Sequence, residues 1–216
     1  MERHRIGIII PALNEANTIA AIVTGAANYG LPIVVDDGSS DETGAFAAAA
    51  GAAVVRIDTN VGYDEALNLG FSHAEKLGCE YLVTLDADGQ HDPGIVVSFI
   101  RALDDGADVV VGARDRRQRL AEHIFAWFAS RRWGILDPLC GVKAYRMNAY
   151  RELGHFDSYC SIGTELAIYA ARSGMKIGQV MVKTSDRQDA SRFGRFSANG
   201  KILRALWLGM FQRAGK

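Results

Sequence analysis

Short apolar runs alternate with longer amphipathic stretches through the first half of the chain. Ile6-Gly-Ile-Ile-Ile10 predicts a buried strand closed by Pro11, and Glu15 to about Asn28 predicts a helix. Ile33–Val35 reads as a second strand, followed by the turn-like Asp36-Asp37-Gly38-Ser39-Ser40. Asp41 is placed to cap an Ala-rich helix through Ala50, with Gly51 ending it. Ala53–Ile57 is a third strand, Asp64–Leu77 a helix, and Tyr81–Leu85 a fourth strand. Asp92-Pro93 opens a helix to about Leu103, and Val109–Val111 is a fifth strand. Strands alternating with helices at this spacing imply βαβ units and an α/β fold, a three-layer αβα sandwich around a mostly parallel sheet. Ligands of such sheets sit beyond the carboxyl ends of the strands. Three polar loops fall there: 11–15, 36–41 and 86–92.

The second half is less regular. Gln118–Trp133 reads as an amphipathic helix, Gly141–Tyr145 as an edge strand, and Gly163 to about Ser173 as a helix. Lys176–Thr184 alternates like a strand, 185–200 reads as a polar loop, and Lys201–Arg213 as a last amphipathic helix. With no repeat and no low-complexity linker, residues 1–216 are expected to form one domain.

Composition narrows the function classes. Of 216 residues, 49% are hydrophobic and 23% charged, as in globular proteins. A formal net charge of -1 argues against a nucleic-acid binder driven by bulk charge. Cys79, Cys140 and Cys160 are odd in number and lack CxxC spacing, so buried free thiols in a reducing, cytoplasmic compartment are expected. No apolar run reaches the roughly 18 residues of a spanning helix, which implies a soluble or membrane-peripheral protein.

The candidate chemistry lies in the strand-end loops. Asp86-Ala-Asp88-Gly-Gln90-His91 sets two carboxylates and an amide oxygen at a strand terminus, separated by small residues. Oxygen donors of this kind suit a hard divalent cation, which most often serves a diphosphate. There is no GxxxxGK[ST] and no GxGxxG after the first strand, so a glycine-rich phosphate cradle is not expected. Pro11-Ala-Leu-Asn14-Glu15 and Asp36-Asp37-Gly-Ser-Ser-Asp41 each fit ordinary turn and capping chemistry when taken alone. Neighbouring carboxylates at a strand end also fit hydrogen bonds from a nucleobase and a ribose.

Taken together, PALNEA, VDDGSSDET and LDADGQHDP resemble the nucleotide-sugar-binding half of a family 2 glycosyltransferase with the GT-A fold. The resemblance continues through Asn60-Val-Gly-Tyr63 and Ala66-Leu-Asn68-Leu-Gly70. DADGQH, Asp137-Pro-Leu-Cys-Gly141-Val-Lys-Ala-Tyr145, Glu165 and Arg187…Ser191-Arg192-Phe-Gly194 are similar to the dolichyl-phosphate mannosyltransferase-like, polyprenyl-phosphate branch. The resemblance implies a nucleoside site at Pro11, Asn14, Glu15 and Asp37. It implies Mg²⁺ or Mn²⁺ and the diphosphate at Asp86, Asp88 and Gln90, with Arg114 near the phosphates. Asp137, Arg187 and Arg192 are implied on the acceptor side. The nucleotide-sugar half would cover about 1–114 and the acceptor half 115–216. Two departures stand out: only 22 residues separate Arg114 from Asp137, and Ala190 replaces the glycine of the late motif.

The implied reaction is metal-dependent, inverting transfer of a sugar from a GDP- or UDP-sugar to a polyprenyl phosphate. Asp88, Glu165 and Arg187 are the expected catalytic residues. A phosphate acceptor needs positioning by arginine, whereas an alcohol needs a general base, for which Glu165 is the first candidate. Transfer to a hydroxyl of a surface polysaccharide or glycolipid stays open. So do a nucleotidyltransferase and a catalytically dead sugar-nucleotide binder. Ile124–Trp133 and Lys201–Arg213 mix aromatics with basic residues, the composition of helices lying on the inner face of an anionic membrane. The same aromatics would equally pack on the sheet, with the arginines solvated.

Overall fold

The structure, a computed structural model, describes residues 5–117, 119–183 and 195–211. A seven-stranded sheet runs in the order β3-β2-β1-β4-β6-β5-β7. The strands are β1 (Ile6–Ala12), β2 (Leu31–Asp37), β3 (Ala53–Ile57), β4 (Tyr81–Thr84), β5 (Val109–Arg114), β6 (Lys143–Arg146) and β7 (Ile177–Val182). The helices are α1 (Ile19–Ala26), α2 (Thr43–Ala49), α3 (Tyr63–Lys76), α4 (Val96–Asp104), α5 (Leu120–Trp133), α6 (Met147–Leu153), α7 (Glu165–Arg172) and α8 (Arg195–Phe211).

Alternation along β1 builds two cores. Ile6, Ile8 and Ile10 join Val34, Ile19, Val23 and Phe99 on the side of α1, α2 and α4. Ile9 joins Ile33, Leu67 and Phe71 on the other side, with α3 and α5 to α8. This is the expected three-layer αβα architecture. β1 pairs in parallel with β2 and β4, β2 with β3, and β5 with β7.

Pro11 lies inside β1 instead of closing it. The β4 side of the ladder ends at Ile9, whose carbonyl accepts from Leu85, so the missing amide of Pro11 costs no sheet bond. α1 begins at Ile19, not Glu15; the residues before it form a turn closed on Glu15 O by the amides of Thr18 and Ile19, while the amides of Asn14, Glu15 and Ala16 donate to side chains of the 39–43 segment. The largest correction concerns β6. It is not an edge strand but lies between β4 and β5, antiparallel to both. Ala144 enters one core and Tyr145 the other, so both faces of the strand are covered. α6, which follows at once, was not anticipated, and α8 already begins within the stretch expected to be loop. Cys79 and Cys140 are buried as expected, but Cys160 is exposed.

α3 lies close on β1 because position 70 has no side chain. A Cβ at Gly70 would overlap the Cγ2 methyl of Ile9 and come within 3.1 Å of Val35 Cγ2. Gly70→Ala gains up to about 1 kcal/mol of helix propensity but overpacks a fully buried, β-branched neighbour at a cost of about 1–3 kcal/mol. Urea denaturation is expected to give a net loss of stability for this variant.

Candidate active site

Side-chain bonds stitch the strand-end loops to one another. After β1, Asn14 takes a left-handed conformation with φ of 54°. Its amide donates to Ser39 Oγ at 2.9 Å, and its Oδ1 accepts from Ser40 N at 2.8 Å. Glu15 N donates to Thr43 Oγ1 at 2.8 Å and Ala16 N to Asp41 Oδ2 at 3.2 Å. Asp41 Oδ1 accepts from Thr43 N at 3.0 Å, so this residue closes the turn into α2 while holding the first loop; the N-cap position itself is Glu42, one residue later than expected, and makes no side-chain cap bond. Thr18 Oγ1 donates to Ala87 O at 2.7 Å and ties the first loop to the Asp86–Asp88 turn. The loops after β1, β2 and β4 therefore form one connected rim.

The two carboxylates ending β2 have separate partners. Asp36 accepts from Ser39 N at 3.0 Å, and its Oδ2 lies 3.4 Å from Arg56. Asp37 accepts from Val61 N at 2.7 Å and Gly62 N at 3.0 Å, drawing in the loop that starts α3. Gly38, with φ of 76°, lets this turn lie against Asn60, since a Cβ there would stand 2.8 Å from Asn60 N.

Asp86 is gripped from two sides. Tyr63, the first residue of α3, donates its hydroxyl to Asp86 Oδ1 at 3.4 Å. Burial and the Asp86 charge raise the Tyr63 phenol well above its usual range, so it remains a donor. On the other side the backbone of Gly141 lies so close that a Cβ there would overlap Asp86 Oδ2. Thr84 Oγ1 fixes this approach by donating to Gly141 O at 2.6 Å and accepting from Lys143 N at 3.0 Å. Asp88 Oδ1 accepts from Gln90 N at 3.1 Å across Gly89.

Burial raises the Asp86 carboxyl, and the Asp88 charge adds to the effect, against opposing contributions from His91 and Lys143. An ionised pair so placed gains from a cation. Asp86, Asp88 and Gln90 carry oxygen atoms of the kind that a hard divalent ion takes. Among the described residues, no three His, Cys, Asp or Glu side chains converge as a self-sufficient metal cage.

Arg114 and Asp137 are brought together. Arg114 Nε and Nη2 reach Asp137 Oδ2 and Oδ1 at 2.7 and 3.0 Å, and Glu122 lies 3.6 Å from the same guanidinium. Burial acts to raise the Asp137 carboxyl, but Arg114 outweighs it and holds the group below the usual carboxylate range. Arg114 thereby anchors the segment leading to Gly141. Arg187 and Arg192 lie outside the described residues.

Glu165 opens α7 and has both oxygens engaged. Oε2 accepts from Ser158 N at 2.5 Å, Ser158 Oγ reaches both oxygens, and His155 Nε2 lies 3.0 Å from Oε1. Its loop is joined to the carboxylate turn indirectly. Gly163 packs near the Tyr63 ring, and Tyr63 touches Asp86. Asn68 Oδ1 accepts from Phe156 N and Asp157 N, and Asp64 accepts from Gly163 N and Ile162 N. Cys160 and Ile162 are held at φ of 55° and 60° within this network. No role was expected for Tyr63, Asn68, Gly141 or Lys143, although all four belong to stretches that carried the resemblance.

Burial, with the Asp157 charge second, pushes the Asp64 carboxyl from 3.8 up to about 6, against the opposing pull of the Gly163 and Ile162 amides. The folded state thus holds a proton that the unfolded chain releases near 3.8. This contribution to stability is complete at low pH and is lost as pH rises through about 6. Relative to Asp64→Asn, the wild-type Tm is expected to fall between about pH 4 and pH 6 and to stay level above pH 7. Thermal melts of both proteins across that range measure it.

Comparison with known proteins accords with this geometry. The family model "Glycosyl transferase family 2" matches residues 7–154. Polyprenol monophosphomannose synthase of Mycolicibacterium smegmatis is 30% identical over 208 residues, covering 84% of this chain and 77% of that protein. An uncharacterised glycosyltransferase of Mycobacterium tuberculosis is 27% identical over 213 residues, covering 93% and 94%. A crystal structure of glucosyl-3-phosphoglycerate synthase from Mycobacterium tuberculosis, in complex with Mn²⁺, UDP-glucose and phosphoglyceric acid, superposes with a TM-score of 0.77 at 24% identity, over 99% of this chain and 80% of that one. The last likeness bears on the fold, which is GT-A. The chain belongs to glycosyl transferase family 2.

Proposed function

We propose that this glycosyltransferase moves a sugar from a GDP- or UDP-sugar to a polyprenyl phosphate, with inversion at the anomeric carbon. The observation that carries the reading is the single rim formed by the loops after β1, β2 and β4, with Asp86 and Asp88 on it at the carboxyl edge of the sheet. In this reading residues 1–216 are one domain, with the donor on about 1–114 and the acceptor on 115–216. Pro11, Asn14, Glu15 and Asp37 frame the nucleoside. The oxygens of Asp37 accept backbone amides but keep further lone pairs for a ribose or base donor. Asp86, Asp88 and Gln90 hold Mg²⁺ or Mn²⁺, which when bound supplies Lewis-acid stabilisation of the leaving diphosphate.

An acceptor phosphate oxygen forms the new bond to the anomeric carbon as the bond to the nucleoside diphosphate breaks. The departing oxygen keeps the electron pair. No proton has to be removed from such a nucleophile at neutral pH. The engagement of Glu165 by Ser158 and His155 supports this acceptor over a hydroxyl, because the carboxylate is employed in holding the acceptor-side loop. Two relatives support it by name. One is the mannose synthase above; the other is undecaprenyl-phosphate 4-deoxy-4-formamido-L-arabinose transferase of Enterobacter, 28% identical over 201 residues, or 81% of this chain and 58% of that protein. Arg187 and Arg192 meet the acceptor phosphate in this reading, and Asp137 serves through its grip on Arg114.

Turnover of GDP-mannose and UDP-glucose with undecaprenyl phosphate and Mn²⁺ tests the proposal. Asp88→Ala is expected to remove activity while the melting transition persists. Glu165→Gln is expected to cost under about tenfold in kcat, whereas a general base for a hydroxyl acceptor would cost about 10²–10⁴-fold. Retained activity in the first variant removes the metal role, and a loss of the larger size in the second favours the hydroxyl acceptor. Separately, Gly141→Ala displaces the Asp86 carboxylate. Mn²⁺ titration without substrate is expected to give an affinity roughly 10–100-fold weaker.

A further inference from the structure

Helices α5 and α8 each bury one face and leave another bare. Phe125, Ala129 and Trp133 of α5 pack in the core with Ile202, Ala205 and Leu206 of α8. Gly209 brings α8 close to Trp133 and Ile168. Away from that contact, Leu120, Ile124 and Trp127 follow helical spacing along α5, and Leu203, Trp207 and Phe211 do the same along α8. Trp127 and Trp207 are each 58% exposed and Phe211 66%. Of the eleven large apolar side chains exposed among the described residues, these six lie on two adjoining helices, a concentration of the kind that marks an interaction surface.

The exposed charged side chains described on these helices are of one sign. Arg131, Arg132, Lys201 and Arg204 are exposed. The one acid of α5, Glu122, is buried beside Arg114 and Arg119, and α8 contains no Asp or Glu. Arg131 lies over the Trp127 ring at 4.9 Å, placing a cation and an indole together. This concentration of positive charge belongs to a chain of net charge -1.

We infer that α5 and α8 form a docking face for an anionic lipid bilayer, with the aromatic stripes at the level of the headgroups and the basic side chains against lipid phosphates. Charge complementarity selects this occupant. A twofold contact with a second copy would set Arg131, Arg132 and Arg204 against themselves, with no exposed acid on either helix to compensate. Among the described residues no helix is long and apolar enough to cross a membrane, so contact at the surface is the geometry these helices allow. The face also connects to the acceptor side of the proposed site. Arg204 Nη1 donates to Tyr159 O at 2.8 Å, in the loop that Glu165 holds. The inference rests on the lipid-linked acceptor reading only for its purpose, not for its evidence.

Sedimentation of the full chain with vesicles of phosphatidylcholine, with and without phosphatidylglycerol and free of polyprenyl phosphate, tests the face. The wild type is expected to pellet with the anionic vesicles at low salt and to be released as salt rises. Trp127→Glu with Trp207→Glu is expected to lower partitioning by roughly tenfold or more, with turnover of a short-chain, water-soluble prenyl phosphate unchanged. Arg131→Gln with Arg132→Gln is expected to reduce the preference for phosphatidylglycerol, and serves should the tryptophan pair disturb folding. Wild type that stays in solution with anionic vesicles at low salt overturns the inference. So does vesicle binding that both variant pairs retain in full, or a dimer that the tryptophan variant makes monomeric. Transfer to polyprenyl phosphate without vesicle binding removes the docking face alone; vesicle binding without that transfer removes the acceptor reading alone.

Discussion

Thr84, the last residue of β4, donates its hydroxyl to Gly141 O and accepts from the amide of Lys143. These two bonds pin the entry of β6 against the end of β4, where the carboxylate turn begins. They bring the Gly141 backbone against Asp86, and they hold Lys143 buried where its charge favours the ionised forms of Asp86 and Asp64. Burial pulls the Lys143 ammonium down, and the surrounding acids oppose that pull. Without β6 between β4 and β5, the carboxylate pair would lose one wall and a nearby positive charge.

The same insertion joins the two halves of the chain. The approach to β6 carries Asp137, which Arg114 grips from the end of β5. Below the site, Phe71 of α3 packs on Tyr145 of β6 at 5.6 Å between ring centroids and on Phe156 at 4.7 Å. α3 then serves both sides: Tyr63 touches Asp86, while Asp64 and Asn68 hold the loop before Glu165. A loop with Cys160 and Ile162 at positive φ keeps its conformation because these bonds over-determine it.

Much of the first half was legible. Each strand up to β5 is an apolar run bounded by turn residues, and local periodicity reports such elements directly. The paired carboxylates and the loops after β1 and β2 were legible too, since strand ends in parallel sheets all point one way. β6 was misplaced because its run is short and is flanked by Lys143 and Arg146, whose charges imitate a solvated edge. Burial of Lys143 beside acids more than fifty residues away removes that signal. Arg114 was expected near phosphates, and its bidentate partner Asp137 on the other side. Only the fold brings these two residues face to face.

The sequence by itself determined the layer architecture and the polar side chains that stand at the strand ends, because both follow from local pattern: alternation within strands, and residue type at their ends. Tertiary structure decided which of those groups are spent on holding loops and which remain for a ligand. Asp37, Asp64 and Glu165 accept backbone amides from distant segments, and Asp86 is set by a glycine 55 residues away in the chain. Hydrogen bonds and close backbone approaches between remote segments leave no periodic trace, so they become visible only once the chain is folded.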